Sequence, residues 1–138
     1  MPVTTDLLRL VPLFAGMTDR SFEAIAGVAI EVGFAEGDHL VRQGEPGTAF
    51  FIIVGGQARV DRDGLTIREL GPGDFLGEIA LIDGSPPTAT VTALEPVAAV
   101  TINRSDFLDL VERLSVFRLE MLNALTQRIR ATGGAPLG

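Results

Sequence analysis

The sequence predicts a mainly β fold with flanking helices: an antiparallel β-roll of the double-stranded β-helix or jelly-roll kind, with N-terminal helices before it and C-terminal hinge and lid helices after it. Three observations carry this reading. Apolar residues recur at helical spacing near both ends of the 138-residue chain and lose that period in between. The middle consists of short apolar runs separated by turn signals: Gly37-Asp38, Gly44-Glu45-Pro46-Gly47, Gly55-Gly56, Asp63-Gly64 and Gly71-Pro72-Gly73-Asp74. With 16 Gly, 8 Pro and 46% hydrophobic residues, the composition has the punctuation of many strands and enough apolar surface to bury a core.

Taken in order, residues 4–30 should form helices. Leu7, Leu8, Leu10 and Val11 have helical spacing over 5–13 until Pro12 stops them. Thr18 is the N-cap candidate for a second helix carrying Phe22, Ile25, Ala26 and Ala29 on one face. The roll should cover about 31–102. Ala49-Phe50-Phe51-Ile52-Ile53-Val54 is apolar throughout, as in a strand buried on both faces, and Gly55-Gly56 is expected to turn it back as a hairpin onto Gln57-Ala58-Arg59-Val60. Residues 66–70, 89–94 and 97–102 supply further strands, and so many hairpins imply a β-roll barrel. Helices should resume over 103–131. Asn103 and Ser115 are the cap candidates; Phe107, Leu108, Val111 and Leu114 form one stripe, and Phe117, Met121, Leu122, Leu125 and Ile129 a second, with Val116 and Leu119 toward the opposite side. Residues 132–138 are expected to fray. A single domain over 1–138 accounts for the whole length.

Composition removes several function classes. There is no Cys, hence no disulfide, thiolate metal site or cysteine nucleophile; all 11 basic residues are Arg, hence no lysine chemistry. The formal charge of -7 opposes attraction to nucleic acid or anionic lipid, so direct DNA binding and membrane association are not expected. No apolar run reaches the roughly 18 residues a membrane helix needs, and with no signal-like start the reading is a soluble, cytoplasmic chain. His39 is the single histidine and stands as a surface residue, not a metal ligand. No nucleophile, base and oxyanion set is recognisable, so an enzyme is not expected.

The chemically informative stretch runs from Phe75 to Val91 and reads as a turn, a short helix and a strand. Gly77 permits close backbone approach, and the N–H groups of Gly77, Glu78, Ile79 and Ala80 at the helix start suit a phosphate. Glu78 would repel an anion but would accept from hydroxyl donors such as those of a ribose. Read alone, the pair is a turn glycine and a solvated helix-start carboxylate; in this setting it reads as a sugar-phosphate pocket.

Gly77-Glu78-Ile79-Ala80-Leu81-Ile82 followed by Pro86 and Ala89-Thr90-Val91 resembles the phosphate-binding cassette of the cyclic nucleotide-binding domain family. The likeness extends upstream through Arg42-Gln43-Gly44-Glu45-Pro46-Gly47 and Leu70-Gly71-Pro72-Gly73-Asp74-Phe75. It implies a regulatory module binding cAMP or cGMP, with no other cofactor. Glu78 would accept from the ribose 2'-hydroxyl, the N–H groups of Gly77, Ile79 and Ala80 would hold the cyclic phosphate, and Thr88 and Ala89 would border the nucleotide. The departure is Pro87: in the family's Pro-Arg-Ala/Thr-Ala pattern that slot holds an arginine that pairs with the phosphate, and proline has neither charge nor N–H. Should another arginine substitute, strand neighbourhood nominates Arg42, Arg59 or Arg104. The resemblance thus implies weakened or altered nucleotide binding; the alternative is a degenerate, nucleotide-independent interaction module. In either case output would pass through a second copy at the C-terminal helices or through a protein partner.

Overall fold

The computed structural model describes residues 2–131; the 132–138 stretch expected to fray lies outside the described residues. Helix α1 (Thr5–Arg9), a 3-10 turn (Pro12–Phe14) and α2 (Asp19–Ala26) come first. The expected first helix breaks at Leu10 and resumes as the 3-10 turn with Pro12 in its opening position. Thr4 and Thr18 cap the two α-helices, each Oγ1 accepting from the backbone N–H three residues on, of Leu7 and of Ser21, at 3.2 Å. Such a cap contributes about 1 kcal/mol.

Strands β1 (Ile30–Phe34), β2 (His39–Val41), β3 (Ala49–Gly55), β4 (Ala58–Arg62), β5 (Leu65–Leu70) and β6 (Phe75–Leu76) follow, then helix α3 (Glu78–Asp83), β7 (Thr90–Ala93), β8 (Val97–Asn103), α4 (Arg104–Arg113) and α5 (Ser115–Ala131). They form two antiparallel four-stranded sheets, ordered β1-β8-β3-β6 and β2-β7-β4-β5. The β-roll is therefore two facing sheets; among the described residues no ladder joins them into a closed barrel.

The expected β3–β4 hairpin does not form. β3 pairs with β6 and β8, while β4 pairs with β5 and β7. Gly55-Gly56 instead carries the chain from one sheet to the other. Gly56, at φ +87°, passes the β7–β8 connection so closely that a Cβ would stand 2.3 Å from the Pro96 carbonyl oxygen. A Gly-Gly pair specifies a tight turn; it does not specify which strands pair.

β3 serves two cores, as its unbroken apolar run requires. Phe50 and Ile52 face the helices, in a cluster with Phe14, Ile25, Phe107 and Phe117. Phe51 and Ile53 face the other sheet, in a cluster with Ala58, Val60, Leu76, Ala89 and Val91. Each of the Phe, Ile, Leu and Val side chains contributes about 1.5–3 kcal/mol on burial, the alanines less. Phe50 lies 4.9 Å from Phe107, centroid to centroid, and Phe107 lies 5.8 Å from Phe117, so a line of aromatic contacts joins β3 to α4 and α5.

At the C-terminal helices three details differ from the periodic reading. Leu110, outside the expected α4 stripe, is buried together with Phe107. α5 starts at Ser115 itself, and Leu114 takes the cap position, its carbonyl accepting from Arg118 N–H at 3.0 Å. Leu122 does not join the buried Phe117 and Met121 but is 54% exposed, alongside the exposed Val116 and Leu119. At 100° per residue Leu122 lies over 90° from both Phe117 and Met121, so a stripe reaching it was too broad. Leu125 and Ile129 lie outside the residues whose side chains are described.

Candidate functional site

The sequence-predicted cassette assembles where β6 ends. Gly77 turns the chain into α3 at φ +94°, with its Cα facing β3: a Cβ would meet the Ala49 carbonyl oxygen at 2.6 Å. The close approach inferred from this glycine is thus to the protein's own backbone. Its carbonyl accepts from Leu81 N–H at 3.3 Å and opens the helix. Glu78, the first residue of α3, is 0% exposed, with its Oε2 buried. That rules out the solvated helix-start reading, because a carboxylate withdrawn from water is costly unless donors surround it. Ile79 and Ala80 follow on the first turn of the same helix.

Beyond α3 the chain returns through Pro87, Thr88 and Ala89 into β7. Pro87 is buried, and its carbonyl accepts from Gly44 N–H at 3.0 Å. Thr88 is exposed and Ala89 fully buried. Two other segments meet this exit. Gln43 N–H donates to Thr90 Oγ1 at 2.9 Å, and the Gln43 side-chain amide makes a two-way bond with the β4–β5 turn: Nε2 donates to Asp63 Oδ1 at 2.7 Å, and Asp63 N–H donates to Oε1 at 2.9 Å. The β2–β3 loop, the β4–β5 turn and the cassette exit therefore converge on one end of the roll.

An arginine that sequence reasoning did not single out stands there. Arg62, at the end of β4, donates from Nε to the Thr88 carbonyl at 3.3 Å and from Nη2 to Thr88 Oγ1 at 3.5 Å. The three arginines named from strand neighbourhood are placed otherwise. Arg59 pairs with Asp61 at 2.8 Å, Arg42 stands 4.0 Å from Glu45 in the β2–β3 loop, and Arg104 Nη2 lies 4.0 Å from where a Cβ on Gly84 would be. The missed signal was the period of two along β4, which turns Arg62 to the same side as Val60. The Thr66 hydroxyl and the Arg59 guanidinium together hold the Asp61 carboxyl below the usual carboxylate range.

Two other places offer less chemistry. His39 is exposed on β2, with Nδ1 2.9 Å from Thr92 Oγ1, and among the described residues no three His, Asp or Glu side chains are grouped to hold a metal. A cleft of about 290 Å³ beside α1 is lined by apolar residues including Leu7, Val11, Ile53 and Pro72, with no charged side chain among its lining residues to meet an anion. No helix among the described residues is long and apolar enough to cross a membrane.

Facing antiparallel sheets, a glycine-initiated short helix opening on a buried glutamate and packed on β3 and α4, and helices behind define a β-roll module of the nucleotide-sensing type. Residues 31–114 match the family model for the cyclic nucleotide-binding domain, and the chain belongs to that family. It is 35% identical over 120 residues to the cGMP-dependent protein kinase egl-4 of Caenorhabditis briggsae, covering 82% of this chain and 16% of the kinase. Among solved structures it is similar to the regulatory domain of Toxoplasma gondii PKA in complex with cAMP (TM-score 0.77, 28% identity, 87% of this chain and 48% of that one). It is also similar to the Thermus thermophilus catabolite activator protein (TM-score 0.79, 27% identity, 88% and 60%). The chain thus spans less than two thirds of each of these relatives.

Proposed function

We propose that this chain is a ligand sensor that binds a cyclic nucleoside monophosphate, cAMP or cGMP, at the Gly77–Ala89 cassette, more weakly than family members with arginine in place of Pro87. The observation that carries this is the complete burial of Glu78 at the start of α3. A carboxylate buried at that position faces polar donors and not bulk water, and in the family's binding mode a ribose hydroxyl is one such donor. The backbone of Gly77, Ile79 and Ala80 would hold the phosphate, while Thr88 and Ala89 would border it. Occupancy would be passed on by α3, which contacts α4, which in turn contacts α5. A ligand that favours one position of α3 thereby biases the helices behind it.

Pro87 favours a second reading, a module that keeps the fold without nucleotide response. A hydrogen bond to a charged partner contributes about 1.5–3 kcal/mol, or about ten- to a hundred-fold in affinity, which is what Pro87 forgoes. Titration calorimetry with cAMP and cGMP at up to millimolar concentration separates the two. Weak saturable heat, strengthened about ten-fold or more by Pro87→Arg, supports the sensor. No heat from the native chain, combined with tight binding by Pro87→Arg, supports the nucleotide-independent module instead.

A further inference from the structure

We propose that Arg62 is the phosphate counter-ion of this domain, reaching from β4 to the ligand position that the arginine of the cassette serves elsewhere in the family. The inference rests on the cyclic nucleotide reading above and adds a residue outside the cassette to it.

Strand geometry points Arg62 inward. Along β4, Ala58 and Val60 are buried against the opposite sheet, and Arg62 continues their alternation; Arg59 and Asp61 form their ion pair on the other face. The register with β7 sets its neighbour. Ala58 stands opposite Ala93 and Val60 opposite Val91, so two residues further Arg62 falls opposite Ala89, at the cassette exit. Its bonds to the carbonyl and hydroxyl of Thr88 agree with that placement.

The surroundings suit a cation that meets an anion. Ala89, opposite Arg62 at the cassette exit, is fully buried, while the bonds of Arg62 to Thr88 lie at the exposed rim, so the guanidinium stands where an incoming anion would first meet the roll. A guanidinium carries five N–H donors in a planar fork, enough for one group to serve a threonine and a phosphodiester together. The anchor is also firm. Asp63, next in sequence, adopts φ +52° in a turn clamped by Gln43, which limits where β4 can deliver its last side chain. Arg59, Arg42 and Arg104 sit elsewhere, and in a chain of net charge -7 an anionic ligand depends on a local cation.

The test is calorimetry with cAMP and cGMP on the native chain, Arg62→Gln and Arg62→Lys, with a thermal melt of each to confirm an unchanged fold. Gln retains donors for Thr88 but not the charge; Lys retains the charge. The expected result is a loss of about ten-fold or more in affinity for Arg62→Gln, with most of it restored in Arg62→Lys. In a Pro87→Arg background the Arg62→Gln loss should shrink, since a second cation then meets the phosphate. Arg62→Gln binding within about two-fold of native, or both variants losing affinity equally, overturns the role of Arg62 and leaves the nucleotide reading standing. Absence of binding by the native chain overturns the nucleotide reading itself, and the assignment of Arg62 with it.

Discussion

Gly77 crosses the carbonyl oxygen of Ala49 so closely that a Cβ would lie 2.6 Å away, below any normal contact. The opposing atom is strand backbone, which cannot swing aside, and φ of +94° adds its own penalty for an L side chain. Gly77→Ala should therefore lower stability by about 2 kcal/mol or more. Gly64 makes the control: its φ is +81°, but nothing lies within 4 Å of a Cβ there, so Gly64→Ala should cost only about 1 kcal/mol. Urea unfolding of both variants checks the order. Equal losses would mean that dihedral strain alone, and not the approach to Ala49, demands glycine at 77.

Gln43 and Asp63 hold two loops together through a reciprocal side-chain and backbone pair. The site is exposed, so Gln43→Ala should cost only about 1 kcal/mol of global stability. Its larger effect should be local: amide hydrogen exchange at Asp63 and Gly44 should speed up while the β3 and β8 amides keep their protection. Uniform acceleration across the sheets would show that the clamp supports the whole fold rather than this end of it.

The parts of the structure that were legible beforehand are those encoded locally. Thr18 and Asn103 cap their helices as read, since a cap needs only one side chain and the N–H three residues on. The buried Phe50–Ile53 run and the short helix starting at Glu78 were likewise readable from adjacent residues. What depends on long-range register was not. Gly55-Gly56 announced a turn but not that β3 and β4 enter different sheets, and Leu122 was assigned inward because an apolar period does not mark where a buried face ends. Arg62 escaped for the same reason. Its closeness to Thr88 exists only once β4 and β7 pair in their register, across 26 residues of sequence.

The outer face of α5 carries the next prediction. Phe117 and Met121 are buried, while Val116, Leu119 and Leu122 are exposed on the opposite side. A helix with an apolar face left in water is stabilised by a neighbour, and a second copy of the chain is the partner we expect. Sedimentation velocity should show a concentration-dependent dimer that Leu119→Glu combined with Leu122→Glu removes, with the monomer fold unchanged by circular dichroism. A native chain that stays monomeric at high concentration would refute this pairing.

Asp61 makes stability depend on pH in a defined direction. Its carboxylate accepts from the Thr66 hydroxyl at 2.8 Å and from Arg59 Nε at 2.8 Å, and these bonds hold its folded pKa below the usual carboxylate value. In the window between the folded and the unfolded values the unfolded chain binds more protons, so stability falls as pH falls through it. Above that window the contribution of Asp61 is complete and constant. Urea midpoints of the native chain and Asp61→Asn should therefore differ by a constant amount from neutrality down to about pH 5 and converge as pH drops below about 4. Thr66→Val should narrow the gap, because the Thr66 hydroxyl is the larger cause of the depression. A gap that stays constant through the acid range would show that Asp61 gains nothing from ionisation in the folded state, and that its two bonds serve only the geometry of the β4–β5 edge.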